Sequence, residues 1–311
     1  MNSNYNILVH IMPASDYIIA IPSYKRPQIC RDKTVAMLHT NKIPANKIYI
    51  YLANKEEKEE YEKVLDKSTY HQLIVGVKGL APQRQFIMSK WGAGKHIVFF
   101  DDDVAKVDLS LSPKYRGKSL DFFIKDAFQE CKNHDSFIWG IYPVFNPFFR
   151  KGRDELSTCL NYIVGCFYGI INRPELKAIQ LTITKENGQK EDVERTLKYF
   201  IHDGIVLRFN KIAAFTKYYQ RDGSGLGTFE DRLKPMLEAS KKLLKAYPDY
   251  GIILTRKSGM TEFKLRKIPA RNESNTQTNM NTTNKKNVNK SKKNKLNLKN
   301  INKKNKSKKI L

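Results

Sequence analysis

Three adjacent carboxylates, Asp101-Asp102-Asp103, follow directly on the apolar run His96-Ile97-Val98-Phe99-Phe100. Crowded like charges raise one another's pKa unless something positive sits among them. Hard oxygen ligands of this kind suit a divalent cation, Mg²⁺ or Mn²⁺, which can in turn hold phosphate oxygens. An acidic turn that merely ends a strand in water is the plainer alternative. The segment Pro22-Ser23-Tyr24-Lys25-Arg26 and the later Arg84 carry positive charge suited to phosphates, or else are a solvated turn and a solvated helix arginine. Glu191-Asp192 offers a carboxylate that can take a proton from a hydroxyl, or simply opens a helix with acids at the positive end of its dipole. His202, beside Asp203, reads by itself as a polar surface residue. Zinc is not expected, because Cys30, Cys131, Cys159 and Cys166 form no CxxC pair and no cluster with histidine.

The elements that must position these groups follow from hydrophobic pattern. Residues 17–23, 47–53 and 72–77 read as strands, and 31–40, 55–67 and 83–91 as the helices after them. The strand at 96–100 comes fourth, apolar throughout and so expected to be covered on both faces. Regular alternation of strand and helix implies βαβ units and a mostly parallel sheet with helices on both faces. Ligands in such sheets collect beyond the carboxyl ends of the strands, which is where the aspartates stand. Past Asp103 the alternation loosens. A helix is expected over 119–133, strands over 136–144 and 162–172, a helix over 191–200, a short strand over 205–209, a helix over 229–246 and a hairpin-like pair over 251–267. The loop Gly223-Ser224-Gly225-Leu226-Gly227 is either a lid or a plain connector.

The basic turn after the first strand, Gly79-Leu80-Ala81-Pro82-Gln83-Arg84, Phe99-Phe100-Asp101-Asp102-Asp103 and Glu191-Asp192 together resemble a GT-A-type glycosyltransferase, with the donor-binding half over about 17–105. Ala20-Ile21-Pro22-Ser23-Tyr24-Lys25-Arg26, the aspartates and Glu191-Asp192 are most similar to the TET-associated group, which glycosylates hydroxymethylated pyrimidines in DNA. The resemblance implies a nucleotide-diphospho-sugar transferase fold and a sugar nucleotide as donor, a UDP-sugar. Asp101 would face the ribose or sugar, Asp103 would bind the metal together with Asp101, and Asp102 would be an ambiguous middle member. Pro22, Tyr24, Lys25, Arg26 and Arg84 would help hold the nucleotide. Asp192, with Glu191 second, would be the base of an inverting transfer, and His202 a further ligand of the metal or diphosphate.

The formal net charge is +25; from Arg271 onward 13 Lys and Arg stand against one acid, leaving +13 for the first 270 residues. Such a balance favours polyanions. The Asn/Lys-rich stretch 269–311 has too little apolar area to offset its ordering entropy and is expected to be a disordered basic tail, either a solubilising extension or a DNA-binding arm. Residues 1–268 are then a single domain, with an acceptor half over about 106–268. Lys211, Phe215, Lys217, Tyr218, Tyr219 and Arg221 interleave charge and aromatic rings in a way that suits an extruded base, or core packing with solvated lysines. No run reaches the roughly 18 apolar residues of a membrane span, and no signal peptide is evident, so a soluble, intracellular protein is expected. The function to be tested is transfer of a hexose, glucose above others, to a hydroxymethylated pyrimidine in DNA. Protein or glycan acceptors, a nucleotidyltransferase and a noncatalytic nucleic-acid-binding protein are the rivals.

Overall fold

The computed structural model describes residues 16–186, 188–216 and 228–271. The chain divides into two compact units, Met1–Ile268 and Pro269–Leu311, and every described strand lies in the first. The basic stretch falls outside the described residues from 272 onward, as do the glycine-rich loop, Lys217, Tyr218, Tyr219 and Arg221.

In the first third, β1 (Tyr17–Pro22), β2 (Ile48–Leu52), β3 (Gln72–Val75) and β4 (His96–Phe100) alternate with α1 (Pro27–Cys30), α2 (Ala36–Thr40), α3 (Lys55–Val64) and α4 (Leu80–Lys90). The next stretch holds β5 (Lys106–Asp108), α5 (Leu120–Asn133), β6 (Ile138–Ile141), β7 (Leu156–Ser157) and β8 (Phe167–Ile171). It is followed by α6 (Glu191–Asp203), β9 (Leu207–Phe209), β10 (Ala213–Phe215), α7 (Phe229–Ala246), β11 (Gly251–Thr255) and β12 (Thr261–Leu265). A single π turn, Arg31–Val35, joins α1 to α2. The first helical segment begins at Pro27 rather than at Arg31, because proline suits a first turn whose N–H has no partner anyway.

The main sheet has eight strands in the order β3-β2-β1-β4-β8-β6-β9-β7. β1 to β4 run parallel, β8 is antiparallel to both neighbours, and β6 and β9 again run with β4. This is the α/β architecture expected from the sequence, a mostly parallel central sheet flanked by helices. β5, β7 and β10, of two or three residues each, had no readable signal, since so short a run shows no period. Among the described residues no helix is long and apolar enough to cross a membrane. All four cysteines are free thiols.

Side chains alternate across the pleat, so the buried central strands feed two cores. On one face Ile97 and Phe99 of β4 and Tyr168 and Ile170 of β8 join Ile87 of α4 and Val193 and Leu197 of α6. On the other, Phe123 and Phe128 of α5 meet the Trp139 ring edge-on at 5.5 and 5.7 Å, and Phe100 stacks on Phe167 at 4.1 Å. Gly169, opposite Trp139 in the β6–β8 ladder, makes room for the indole: a Cβ there would lie 2.3 Å from its Nε1.

His96 opens β4 fully buried, its ring stacked on Phe128 at 4.3 Å, and neither ring nitrogen finds a hydrogen-bond partner. Burial, reinforced by Lys132 and Lys95, pushes its pKa down from 6.5 to about 4. The unfolded chain therefore takes up this proton first as pH falls. The stability that comes from keeping the ring neutral is whole above pH 6.5 and is lost on the way down to about 4. At 1.36 kcal/mol per pH unit the effect is about 3 kcal/mol. Urea unfolding between pH 7 and 4 is expected to show this loss, and His96→Phe is expected to remove it by leaving no buried polar ring; the same slope in both proteins would exclude His96 as its source.

Candidate active site

The three aspartates leave β4 and part ways. The Asp101 N–H donates to the Cys166 carbonyl at 3.0 Å, and Thr34 of the π turn spans the triplet. The Thr34 hydroxyl donates to the Asp101 carbonyl at 2.6 Å and accepts from the Val104 N–H at 2.9 Å. A π turn inserts one residue into a helix and re-aims its side chains, a device frequent at functional sites.

Asp102 turns inward. It is fully buried, accepts from the Ser23 hydroxyl and from two guanidinium nitrogens of Arg26, and Ser23 in turn shares a hydrogen bond with Tyr61. Burial pushes its carboxyl up to about 6, against the pull of Arg26. Its expected place beside the nucleotide is therefore corrected: Asp102 fastens the turn after β1 to the turn after β4. Arg26 is committed to the same bond, with Asp103 a further 3.7 Å away, so it is not a free phosphate hook. Pro22 is buried as the last residue of β1 and offers no surface to a cofactor. Tyr24 and Lys25 do stand outward. Lys25 adopts the left-handed backbone, φ 55°, and the ammonium groups of Lys25 and Lys78 lie 5.4 and 5.8 Å from the Tyr24 ring.

Arg84 is only 2% exposed. Its guanidinium bonds Asp101 at 2.6 Å, the Gly165 carbonyl at 2.9 Å and, closer still, Glu191. Burial alone disfavours its charge, but Glu191, Tyr168 and Asp101 more than reverse this and hold its pKa well above the ordinary value. Glu191 is itself 3% exposed and bonds a second guanidinium, Arg195, at 2.6 Å. Its expected role as a reserve base meets this obstacle: each of its two carboxylate oxygens is already bonded to a buried guanidinium. Arg84, placed by the sequence against the nucleotide, is a buried strut between the aspartates and α6.

Asp192 differs from its neighbour. It is half-buried, receives the Val193 N–H at 2.9 Å and the Tyr162 hydroxyl, and faces an open cavity. Gly140 helps bring Tyr162 there. A Cβ on Gly140 would stand 2.5 Å from Ile163, so only glycine lets this segment lie so close on the sheet. His202 is not brought along. It lies in the last turn of α6, roughly 15 Å of helix axis beyond Asp192, next to Asp203 at 3.8 Å.

The cavity measures about 620 Å³, and Arg84, Asp101, Tyr162, Lys190, Asp192 and Arg208 line it together with residues of α7 and β12. Volume of this order suits a small-molecule ligand. At its wall the Asp101 side chain keeps 31% exposure. Burial raises its carboxyl to about 7, with Arg84 opposing and Asp103, Asp102 and Glu191 adding to the rise. Asp103 is steadied by the Thr216 hydroxyl at 2.5 Å, a contact created where β10 pairs with β5. Among the described residues no three His, Cys, Asp or Glu side chains gather into a metal-binding group. Two carboxylates are nonetheless what Mg²⁺-type sites commonly supply, the other positions falling to phosphate oxygens and water. Asp101 and Asp103 fit such a cation, and His202 does not.

Sequence reasoning missed Thr34, Tyr162, Lys190, Arg208 and Thr216, none of which sits in a recognisable motif. It also missed Glu194, fully buried, whose carboxylate receives the N–H groups of Thr182, Ile183 and Thr184 at 2.7, 2.9 and 2.8 Å and so ties the loop before α6 to the helix. Of the interleaved basic and aromatic stretch, Phe215 packs on Phe145 at 5.3 Å and the Lys211 ammonium caps the Lys151 carbonyl.

No family model matches the sequence, and no curated protein matches it. Solved structures with a similar fold include the mannosyltransferase PcManGT from Pyrobaculum calidifontis in complex with GDP-Man and Mn²⁺, at 11% identity and a TM-score of 0.47, covering 77% of this chain and 67% of that one. S. aureus TarS 1-349 in complex with UDP follows at 14% identity and a TM-score of 0.43, covering 74% and 65%. Glucosyl-3-phosphoglycerate synthase from Mycobacterium tuberculosis, in complex with Mn²⁺, UDP-glucose and phosphoglyceric acid, gives 11% identity and a TM-score of 0.45, covering 84% and 93%. The chain thus spans about two thirds of the length of the first two.

Proposed function

We propose that this chain is a metal-dependent glycosyltransferase that moves a hexose, glucose first among the candidates, from a UDP-sugar to a hydroxyl acceptor with inversion. One observation carries the reading. Asp101 at the end of β4 and Asp192 at the start of α6, far apart in sequence, face the same cavity, while Glu191 and Arg84 beneath them are spent on each other.

Donor and acceptor chemistry divide between these two carboxylates. Asp101 and Asp103 would hold Mn²⁺ or Mg²⁺, which supplies positive charge to a departing nucleoside diphosphate. Tyr24 and Lys25, outward on the turn after β1, would meet the nucleoside and its phosphates. Asp192 would accept the proton of the attacking hydroxyl, with the Tyr162 hydroxyl fixing which of its oxygens is turned to the acceptor. The preferred acceptor is a hydroxymethylated pyrimidine in DNA, a reading supported by the resemblance of the motifs and by the +13 charge of the first 270 residues. Incubating the chain with Mn²⁺, a panel of UDP-sugars and either hydroxymethylated or unmodified DNA, then weighing the nucleosides by mass spectrometry, is expected to show one hexose added to the hydroxymethylated base alone. No mass shift on any nucleoside would exclude DNA as acceptor, and no binding of UDP in the presence of Mn²⁺ would exclude the donor chemistry.

A further inference from the structure

Among the described residues four arginines are buried, Arg84, Arg150, Arg195 and Arg208. Three of them are matched by carboxylates at 2.6 Å: Arg84 by Asp101, Arg150 by Asp108 and Arg195 by Glu191. Arg208, at 8% exposure, is not. Among the described residues its guanidinium reaches only neutral oxygens, Asn210 Oδ1 at 2.8 Å and the Tyr162 carbonyl at 3.4 Å. Arg153 and Arg208 both lie over the Tyr142 ring, at 4.6 and 5.2 Å from its centre, so a second cation stands close by. Burial lowers the Arg208 pKa to about 10, which still leaves it charged at neutral pH. A buried guanidinium without an anion is costly, and a fold retains one where something outside the chain repays it.

The position of Arg208 says what that something is. It lines the same cavity as Asp101 and Asp192. Along the ladder Phe99 pairs with Tyr168, Tyr168 with Gly140 and Gly140 with Arg208, so all four share one face of the sheet. Three strand spacings of ~4.8 Å separate the Arg208 and Phe99 backbones by about 14 Å, and Asp101 follows two residues after Phe99. Tyr162 links Arg208 to Asp192, its carbonyl accepting from Arg208 and its hydroxyl donating to Asp192. The cavity wall as a whole carries seven cationic residues, Arg84, Lys190, Arg208, Arg232, Arg256, Lys264 and Lys267, against the four acids Asp101, Glu191, Asp192 and Glu262. A divalent cation would meet the charge of the donor diphosphate, so the excess remains for the acceptor.

We infer that Arg208 binds a phosphate group of the acceptor, anchoring it so that its hydroxyl is presented to Asp192. This rests on the transfer reading given above for the direction of the chemistry, but not for the presence of the phosphate site. A planar guanidinium fork matches phosphate oxygens in pairs, which a lysine cannot do.

The test uses the full-length chain with inorganic phosphate as probe. Isothermal titration at fixed ionic strength is expected to show phosphate binding that Arg208→Gln weakens tenfold or more, as loss of a charge-assisted contact should, and that Arg208→Lys weakens less. UDP with Mn²⁺ is expected to bind the wild type and both variants alike. Equal phosphate binding by wild type and R208Q, or none by either, overturns the inference. Failure of UDP to bind any of the three removes the donor reading instead, while the phosphate comparison still decides the role of Arg208. Thermal melting separates a binding arginine from a structural one: without its unmatched charge R208Q should melt no lower than wild type, and a clear drop would mark Arg208 as a structural residue and count against the inference. Sugar transfer to a hydroxymethylated DNA duplex and to glycerol 3-phosphate then distinguishes a phosphodiester from a phosphomonoester. For whichever is the substrate, R208Q should raise the acceptor KM about tenfold and leave the donor KM in place; an unchanged acceptor KM would again overturn the inference.

Discussion

Asp192→Asn is expected to abolish nearly all transfer while leaving donor binding intact. An amide of the same shape keeps the Val193 N–H bond and the contact to Tyr162, so the first turn of α6 stays formed, but it cannot take a proton from the acceptor. Removing a general base costs about 10²- to 10⁴-fold in rate. Initial rates with a UDP-sugar should therefore fall by that factor in kcat with the donor KM unchanged, and titration with UDP and Mn²⁺ should give the wild-type affinity. Turnover within a few-fold of wild type would take Asp192 out of the chemistry. Glu191→Gln reports on something else, because Glu191 is bonded to Arg84 and Arg195 and lies 3% exposed. It should lower stability before it lowers the rate of the chemical step.

The second large effect is on the fold. Arg84→Met leaves Glu191 and Asp101 without the guanidinium that bridges them, and Glu191 is only 3% exposed. Breaking a buried ion pair from one side costs about 3–5 kcal/mol, because the remaining charge stays buried and uncompensated. Urea denaturation should show a loss of this size. Arg84→Lys keeps the charge but not the fork that serves Asp101, Glu191 and the Gly165 carbonyl together, and should fall between the two. A wild-type midpoint for R84M would mean that the strut carries no load. In this protein Asp101 and the first turn of α6 are fixed to one another through Arg84 and Glu191, so a change in that pair should reach both.

Much of the frame was legible in the linear chain. β1, β2 and β4 are apolar runs of β-formers, and only a strand covered on both faces asks for that composition, so the parallel sheet and the position of the aspartates at its carboxyl edge followed. The helical segment at Lys55–Val64 and the acidic opening of α6 were legible for equally local reasons. The site was less so. A charged residue has the same letter whether it faces a cavity or a buried partner. Arg84, Arg26 and Asp102 were readable as charges at a nucleotide site and Glu191 as a reserve base, and each proves to be paired within the protein. His202 shares a helix with Asp192 but sits at its other end, because ten residues are nearly three turns.

The residues alone determined that strands and helices alternate, that carboxylates gather where a parallel strand ends, and that the whole is strongly basic, since each of these depends on neighbours in sequence and on composition. Only the tertiary structure decided which of Asp101, Asp102 and Asp103 turns inward, which member of Glu191-Asp192 meets solvent, and that Arg208 stands in the cavity without an anion. Those outcomes depend on pairs such as Ser23 with Asp102, Arg84 with Glu191 and Tyr162 with Asp192, at separations of 79, 107 and 30 residues. Electrostatic and hydrogen-bonding energies fall off with distance through space, and separation along the chain says little about that distance until the sheet has folded.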